Sequence, residues 1–270
     1  MAKIKTPFST SANPTCLLMT PEVENAIGRT KYAIDARQGL TAIISDYGLG
    51  KTSILRYLWT DYDSQDDAVV CMIPTPDFPS SYGLLRAICA EFKVSGKQSK
   101  REQLVAFNKF VQASDERGYN VIVLIDEAQK LNRDHLELIR TMLNYEKPEE
   151  KLVQVVLAGQ LELRDRLIAK ENEAIYSRVY APSMLNVLTQ TDTVKLIELR
   201  CKRAQIKNPF TDEAMTLIHK LTGGVPRTII SLCGQAYEIM LRSKIKTIDP
   251  ELVADVFSQG DLKGVLKNVA

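Results

Sequence analysis

One stretch limits what this chain can fold into more than any other: Ser45-Asp46-Tyr47-Gly48-Leu49-Gly50-Lys51-Thr52. An apolar run, Leu40-Thr41-Ala42-Ile43-Ile44, precedes it, and a helical pattern beginning Ser53-Ile54-Leu55 follows. Strand, tight turn and helix in that order are the context a phosphate-binding loop requires. Gly48 and Gly50 let the backbone aim its N–H groups at a phosphate, and the helix N-terminus adds its positive end. Tyr47, Gly48, Leu49, Gly50, Lys51, Thr52 and Ser53 are therefore candidate nucleotide-binding residues. Lys51 would reach the β- and γ-phosphates, and the Thr52 hydroxyl would ligate Mg²⁺. Ser45 stands where the pattern G-x-x-x-x-G-K-[ST] has its first glycine.

A second run has the same form. Asn120-Val121-Ile122-Val123-Leu124-Ile125 is wholly apolar after its first residue and ends in Asp126-Glu127. Continuous apolar strands are covered on both faces, as in a parallel sheet. Ligands of such sheets sit beyond the carboxyl ends of the strands. Asp126 is thus placed to hold Mg²⁺, and Glu127 to take a proton from an attacking water. A third apolar run, Leu152–Ala158, ends in Gly159-Gln160. There the Gln160 amide reads either as a sensor of the γ-phosphate that orients water or as a turn residue.

The remaining chain frames these strands. Thr20-Pro21 opens a helix that Gly39 ends, with Thr20 as cap and Pro21 at its first position. Ala68–Ile73 is a second buried strand, and helices are expected near 81–93, 100–117 and 133–144. Between the first two lies a Gly/Ser loop with Lys93, Lys97, Lys100 and Arg101. It reads as a duplex-DNA contact through phosphates, with Lys97, Lys100 and Arg101 as candidates, or as a solvated turn. Residues 161–178 are strongly charged. Beyond Thr189 the pattern is helical throughout, near 190–205, 211–222, 226–242 and 250–258. In Gly223-Gly224-Val225-Pro226-Arg227, Arg227 falls in the first turn of a helix, where a cation opposes the dipole unless an anion joins it.

The 270 residues suit one large α/β domain and a smaller helical one. The expected division is an N-terminal extension over 1–20, a nucleotide-binding domain over 21–185 and a helical lid over 186–270. A net charge of +2 gives no global basic field, so any DNA contact must come from a local patch. No apolar run reaches membrane-spanning length. Five scattered cysteines, with no C-x-x-C spacing, read as reduced thiols of a cytoplasmic protein.

Taken together, these pieces resemble an AAA+ ATPase. Ser45–Thr52 resembles the Walker A motif, Val121–Glu127 Walker B, Gln160 sensor 1 and Gly224-Val225-Pro226-Arg227 the sensor 2 motif. More narrowly, the chain is similar to ExeA/GspA-type ATPases and to the TniB/TnsC/MuB-like transposition regulators. Pro7-Phe8, Leu17–Pro21, Ile125-Asp126-Glu127-Ala128-Gln129 and Leu157–Leu163 carry that likeness. The resemblance implies an α/β fold: a parallel-sheet P-loop AAA+ domain followed by a small C-terminal helical lid bundle. It implies ATP and Mg²⁺ as cofactors, with Glu127, Gln160 and Arg178 catalytic. Thr52 and Asp126 would hold the metal, and Arg227 would bind phosphate. Arg178 would enter from a neighbouring subunit of a ring or helical filament, with Arg166 the second choice. The secretion branch carries a membrane segment and a cell-wall-binding region after the ATPase, and neither is present up to Ala270. The expectation is therefore the transposition branch: a cytoplasmic homo-oligomer, not attached to a membrane, that coats double-stranded DNA and recruits or activates a transposase or target-selection adaptor. A secretion-type ATPase and a nucleotide-gated scaffold with negligible hydrolysis are the alternatives. The last residues, Gln259–Ala270, read either as a partner-binding tail or as a frayed end.

Overall fold

The computed structural model describes residues 6–259; of the terminal segment just mentioned, 260–270 lie outside the described residues, as do 1–5. Within that range the chain divides into two compact units. One comprises Pro21–Tyr47 and Lys51–Leu185; the other takes in the N-terminal residues to Thr20, Gly48–Gly50 and everything from Asn186 onward.

The larger unit opens with α1 (Pro21–Asp35) and β1 (Leu40–Ile44). Then come α2 (Lys51–Asp63), β2 (Ala68–Ile73), α3 (Ser81–Glu91) and α4 (Lys100–Glu116). It continues through β3 (Asn120–Ile125), α5 (Arg133–Met142), β4 (Val153–Gly159), α6 (Leu161–Ile168), α7 (Glu173–Tyr176) and β5 (Ser183–Met184). The strands form one parallel sheet in the order β2-β3-β4-β1-β5. The expected parallel sheet is present, and both of its faces are covered. On one face Leu40, Ala42, Val121, Val123, Val155 and Leu157 join a core with α3, α4 and α5. On the other, Ile43, Ile122, Leu124 and Val156 are fully buried, and α1 and α2 pack there. That two-sided burial is why these strands alternate nothing and read as unbroken apolar runs.

Helix boundaries follow capping chemistry. The Ser99 hydroxyl and the Glu102 carboxylate exchange hydrogen bonds with each other's backbone N–H, fixing the start of α4. Asn132 and His135 do the same at α5. Two features exceed the sequence expectation. The charged stretch after Gln160 contains α6 and α7, with Leu163 and Leu167 buried one turn apart. A two-residue edge strand, β5, pairs with the end of β1.

The smaller unit is helical: α8 (Gln190–Arg203), α9 (Asp212–Thr222), α10 (Pro226–Ser243) and α11 (Pro250–Gln259). Thr189 and Thr211 cap α8 and α9 through their hydroxyls, and Pro226 starts α10 where no amide partner is needed. Phe8, from the N-terminal segment, packs edge-on against Phe210 and Tyr237. The Arg200 guanidinium donates to the Ser9 carbonyl at 3.0 Å. Gly224 sits at φ 75, and a Cβ there would strike the Leu188 carbonyl oxygen at 2.3 Å, so this turn needs glycine on both counts.

Candidate functional site

The strand order decides which residues meet. β4 lies between β1 and β3, so the segments following all three emerge side by side at one edge of the sheet. Those segments carry Ser45–Thr52, Asp126-Glu127 and Gly159-Gln160. The junctions are tied: the Ser45 amide donates to the Gly159 carbonyl at 3.2 Å, and the Asp126 amide to the Ile73 carbonyl at 2.9 Å.

The loop after β1 turns through Gly48 at φ 80 and Gly50 at φ 100, conformations in which a side chain would be strained. Lys51 begins α2 and is buried. Its ammonium donates to the carbonyls of Ser45 and Asp46, each at 2.8 Å, and to the Ser45 hydroxyl at 3.1 Å. Those contacts use all three ammonium protons. Ser45, in the position the pattern gives to glycine, thus contributes a side-chain oxygen to the lysine. Burial pulls the Lys51 pKa down, against the nearby Asp126 and Glu127 carboxylates, which raise it.

Thr52 and Asp126 meet directly. The Thr52 hydroxyl donates to Asp126 Oδ2 at 2.5 Å, across 74 residues of sequence. Asp126 Oδ1 accepts the Glu127 amide at 2.9 Å. Burial pushes the Asp126 carboxyl above its usual range, while these two hydrogen bonds oppose the rise. A hydroxyl and a carboxylate converging at one point form a hard, all-oxygen donor pair, which fits Mg²⁺. Glu127 itself is left-handed, with φ 51 and ψ 34. For a residue with a side chain that conformation costs about 1–3 kcal/mol and is held by its surroundings. Its Oε2 accepts from Gln129 Nε2 at 2.8 Å, and the Gln129 Oε1 accepts the Gln160 amide at 3.1 Å. Gln129 enters the sequence reading only as part of a motif; its bridging follows from the turn at Glu127, which no residue pattern announces.

The other candidate residues make the following contacts. Arg178 donates through Nη1 to Asn144 Oδ1 at 2.7 Å and to the Arg140 carbonyl at 3.2 Å. Arg166 donates to the Leu131 carbonyl. Lys97, Lys100 and Arg101 are exposed between α3 and α4. Lys100 Nζ donates to Ser81 Oγ at 2.8 Å, and the Lys97 amide to the buried Gln103 side chain at 2.7 Å. Among the described residues neither these three nor Lys93 forms an ion pair. In the smaller unit, Arg227 is exposed in the first turn of α10, and its amide donates to the Gly48 carbonyl at 3.2 Å. Tyr47 is exposed, and Ser53 is half-buried in the first turn of α2.

A five-stranded parallel sheet wrapped by helices, with a phosphate loop after β1 and a helical part after β5, is the P-loop AAA+ fold. The family model described as AAA domain matches residues 34–167. General secretion pathway protein A of Aeromonas hydrophila is 31% identical over 233 residues, which cover 85% of this chain and 42% of that protein. The chain therefore spans less than half the length of that relative. Among solved structures, Cdc6p from Pyrobaculum aerophilum superposes with a TM-score of 0.72 at 18% identity, covering 94% of this chain and 70% of that one. The Aeropyrum pernix ORC1 protein, solved in complex with DNA, gives 0.68 at 16% identity, covering 90% and 66%. Among the described residues no helix is long and apolar enough to cross a membrane.

Proposed function

We propose that this chain is a Mg²⁺-dependent ATPase whose nucleotide state governs its assembly on duplex DNA. The observation that carries the reading is the 2.5 Å approach of Thr52 Oγ1 to Asp126 Oδ2, with Glu127 next in the chain. Thr52 and Asp126 would hold Mg²⁺, which when bound neutralises phosphate charge. Tyr47–Ser53 would bind the phosphates through backbone N–H groups, and Lys51 would exchange one of its internal acceptors for a phosphate oxygen. Glu127 takes the proton of the attacking water, and Gln160 orients that water. Arg227 adds a cation for the phosphates. Arg178 acts on a neighbouring subunit's nucleotide: among the described residues its Nη2 and Nε make no hydrogen bond beyond those of Nη1 to Asn144 and Arg140.

Lys97, Lys100 and Arg101, unpaired by carboxylates among the described residues, would meet DNA phosphates. Many weak contacts along an oligomer would offset the small charge of one subunit. The ORC1 structure with DNA supports DNA as a partner for this fold. In the cytoplasm, such an ATP-bound ring or filament would present DNA to a transposase or a target-selection adaptor, as the sequence likeness to transposition regulators suggests. The identity to a general secretion pathway protein favours a second reading, a secretion-type ATPase acting on protein cargo.

Binding to a fluorescently labelled duplex, at near-physiological salt, separates the two. The DNA reading expects tight binding with ATP and little with ADP or no nucleotide. Equal binding in all three states, or none in any, would contradict it and favour protein cargo.

A further inference from the structure

The Gln129 side chain joins two groups that the reaction would have to coordinate. Its Oε1 accepts the backbone N–H of Gln160, and its Nε2 donates to the Glu127 carboxylate. The orientation of the amide is fixed by chemistry. A peptide N–H can only donate and a carboxylate can only accept, so the flipped amide would set donor against donor and acceptor against acceptor. The bond to the carboxylate is charge-assisted, the stronger kind. The surroundings leave this bridge little slack. A Cβ on Gly159 would lie 3.1 Å from the Gln129 backbone nitrogen and 2.7 Å from the Leu163 side chain, so the end of β4 lies close against the turn that holds Gln129. Ala128, between Glu127 and Gln129, is fully buried.

The bridge engages only Oε2 of Glu127. Among the described residues Oε1 makes no hydrogen bond and faces no cation within ion-pair distance. One carboxylate oxygen is tethered and the other is left to accept a proton.

We propose that Gln129 is a positioning residue for hydrolysis, which fixes the Glu127 carboxylate and ties its orientation to the peptide at Gln160. A change at the end of β4, where Gln160 would meet the γ-phosphate, is thereby transmitted to the base through one side chain. The proposal rests on reading Glu127 as the base.

Two variants of equal length test it. Gln129→Met keeps the packing and removes both hydrogen bonds. Gln129→Glu keeps an acceptor for the Gln160 amide but sets a like charge against Glu127. Steady-state ATP hydrolysis and ATP affinity are measured for both, beside Glu127→Gln and the Gln129→Met/Glu127→Gln double variant. The expected result is a fall in kcat of about tenfold or more for Gln129→Met and a larger fall for Gln129→Glu, as a misdirected base requires. KM and the ATP Kd stay within about twofold, and Gln129→Met adds nothing to Glu127→Gln, because a positioning residue has no effect once its target is gone.

Wild-type kcat in Gln129→Met would overturn the proposal. So would a parallel loss of ATP affinity, or full additivity with Glu127→Gln, since either marks a merely structural residue. Wild-type hydrolysis by Glu127→Gln alone is a separate failure: it would remove the assignment of the base and the proposal with it.

Discussion

The two ends of the sheet use buried and half-buried polar groups in opposite ways. At the amino end, Gln154 is buried in β4; its Oε1 accepts the Gly39 amide at 2.8 Å and its Nε2 donates to the Lys151 carbonyl at 2.7 Å. Asn120, the first residue of β3, donates to the Ile34 carbonyl at 3.0 Å. Asp115 gathers Arg37 and Lys147 at 3.4 and 2.5 Å. These groups hold backbone or cancel charge. At the carboxyl end, Thr52, Asp126, Glu127 and Gln129 bind chiefly to one another, and among the described residues one Glu127 oxygen makes no hydrogen bond. Gln154 and Gln129 show the contrast most directly. Each amide makes two hydrogen bonds, but Gln154 joins two peptide groups, whereas Gln129 joins a peptide to a carboxylate. An amide between two peptides is a brace. An amide on a strained, partly unsatisfied carboxylate has a partner whose orientation chemistry can use.

Substitutions at the two ends should therefore fail differently. The largest effect is expected for Glu127→Gln: kcat falls about 100-fold or more while ATP still binds, and ATP-bound assemblies accumulate. Turnover assays together with light scattering check both halves. Next, Lys51→Ala should weaken ATP binding about 10- to 100-fold, the weight of one charged hydrogen bond. Nucleotide titration measures it. At the amino end, Gln154→Met should cost about 1–3 kcal/mol of stability by stranding the Gly39 amide and the Lys151 carbonyl, yet leave kcat unchanged. Denaturant unfolding and turnover on the same sample decide this; a fall in kcat without a loss of stability would erase the distinction between the ends. The smallest effect is expected for Arg37→Gln. Breaking its long, partly exposed contact to Asp115 should cost about 1 kcal/mol or less, and the loss should shrink in high salt.

Much of the fold was legible because it follows from burial. β1, β3 and β4 announce themselves as apolar runs, since a parallel strand covered on both faces has no polar side to show; β2, expected as a buried strand, is an edge strand and mostly half-buried. The caps at Ser99, Thr189 and Thr211 mark helix starts in the sequence as they do in space. β5 was not legible. Two residues are too few to show a period, and pairing with β1 is what makes them a strand. α6 hid among charges, although Leu163 and Leu167, four apart, were its signal. At the candidate site, the sequence singled out Thr52 and Asp126, and the structure brings their side chains together. It could not show that Ser45 would donate an oxygen to Lys51, or that Gln129 would reach back to Glu127. Both depend on loop geometry, the second on a left-handed residue that nothing in Asp126-Glu127-Ala128-Gln129 requires.

The measurement that bears most directly on the carboxyl-end site is ATP turnover by the intact chain, with Mg²⁺ and with the metal chelated by EDTA. The expected result is saturable hydrolysis that disappears with EDTA and returns when Mg²⁺ is restored. Turnover that is indifferent to EDTA, or that is absent with Mg²⁺ both with and without duplex DNA, would contradict the assignment of Thr52, Asp126 and Glu127 to a hydrolytic site.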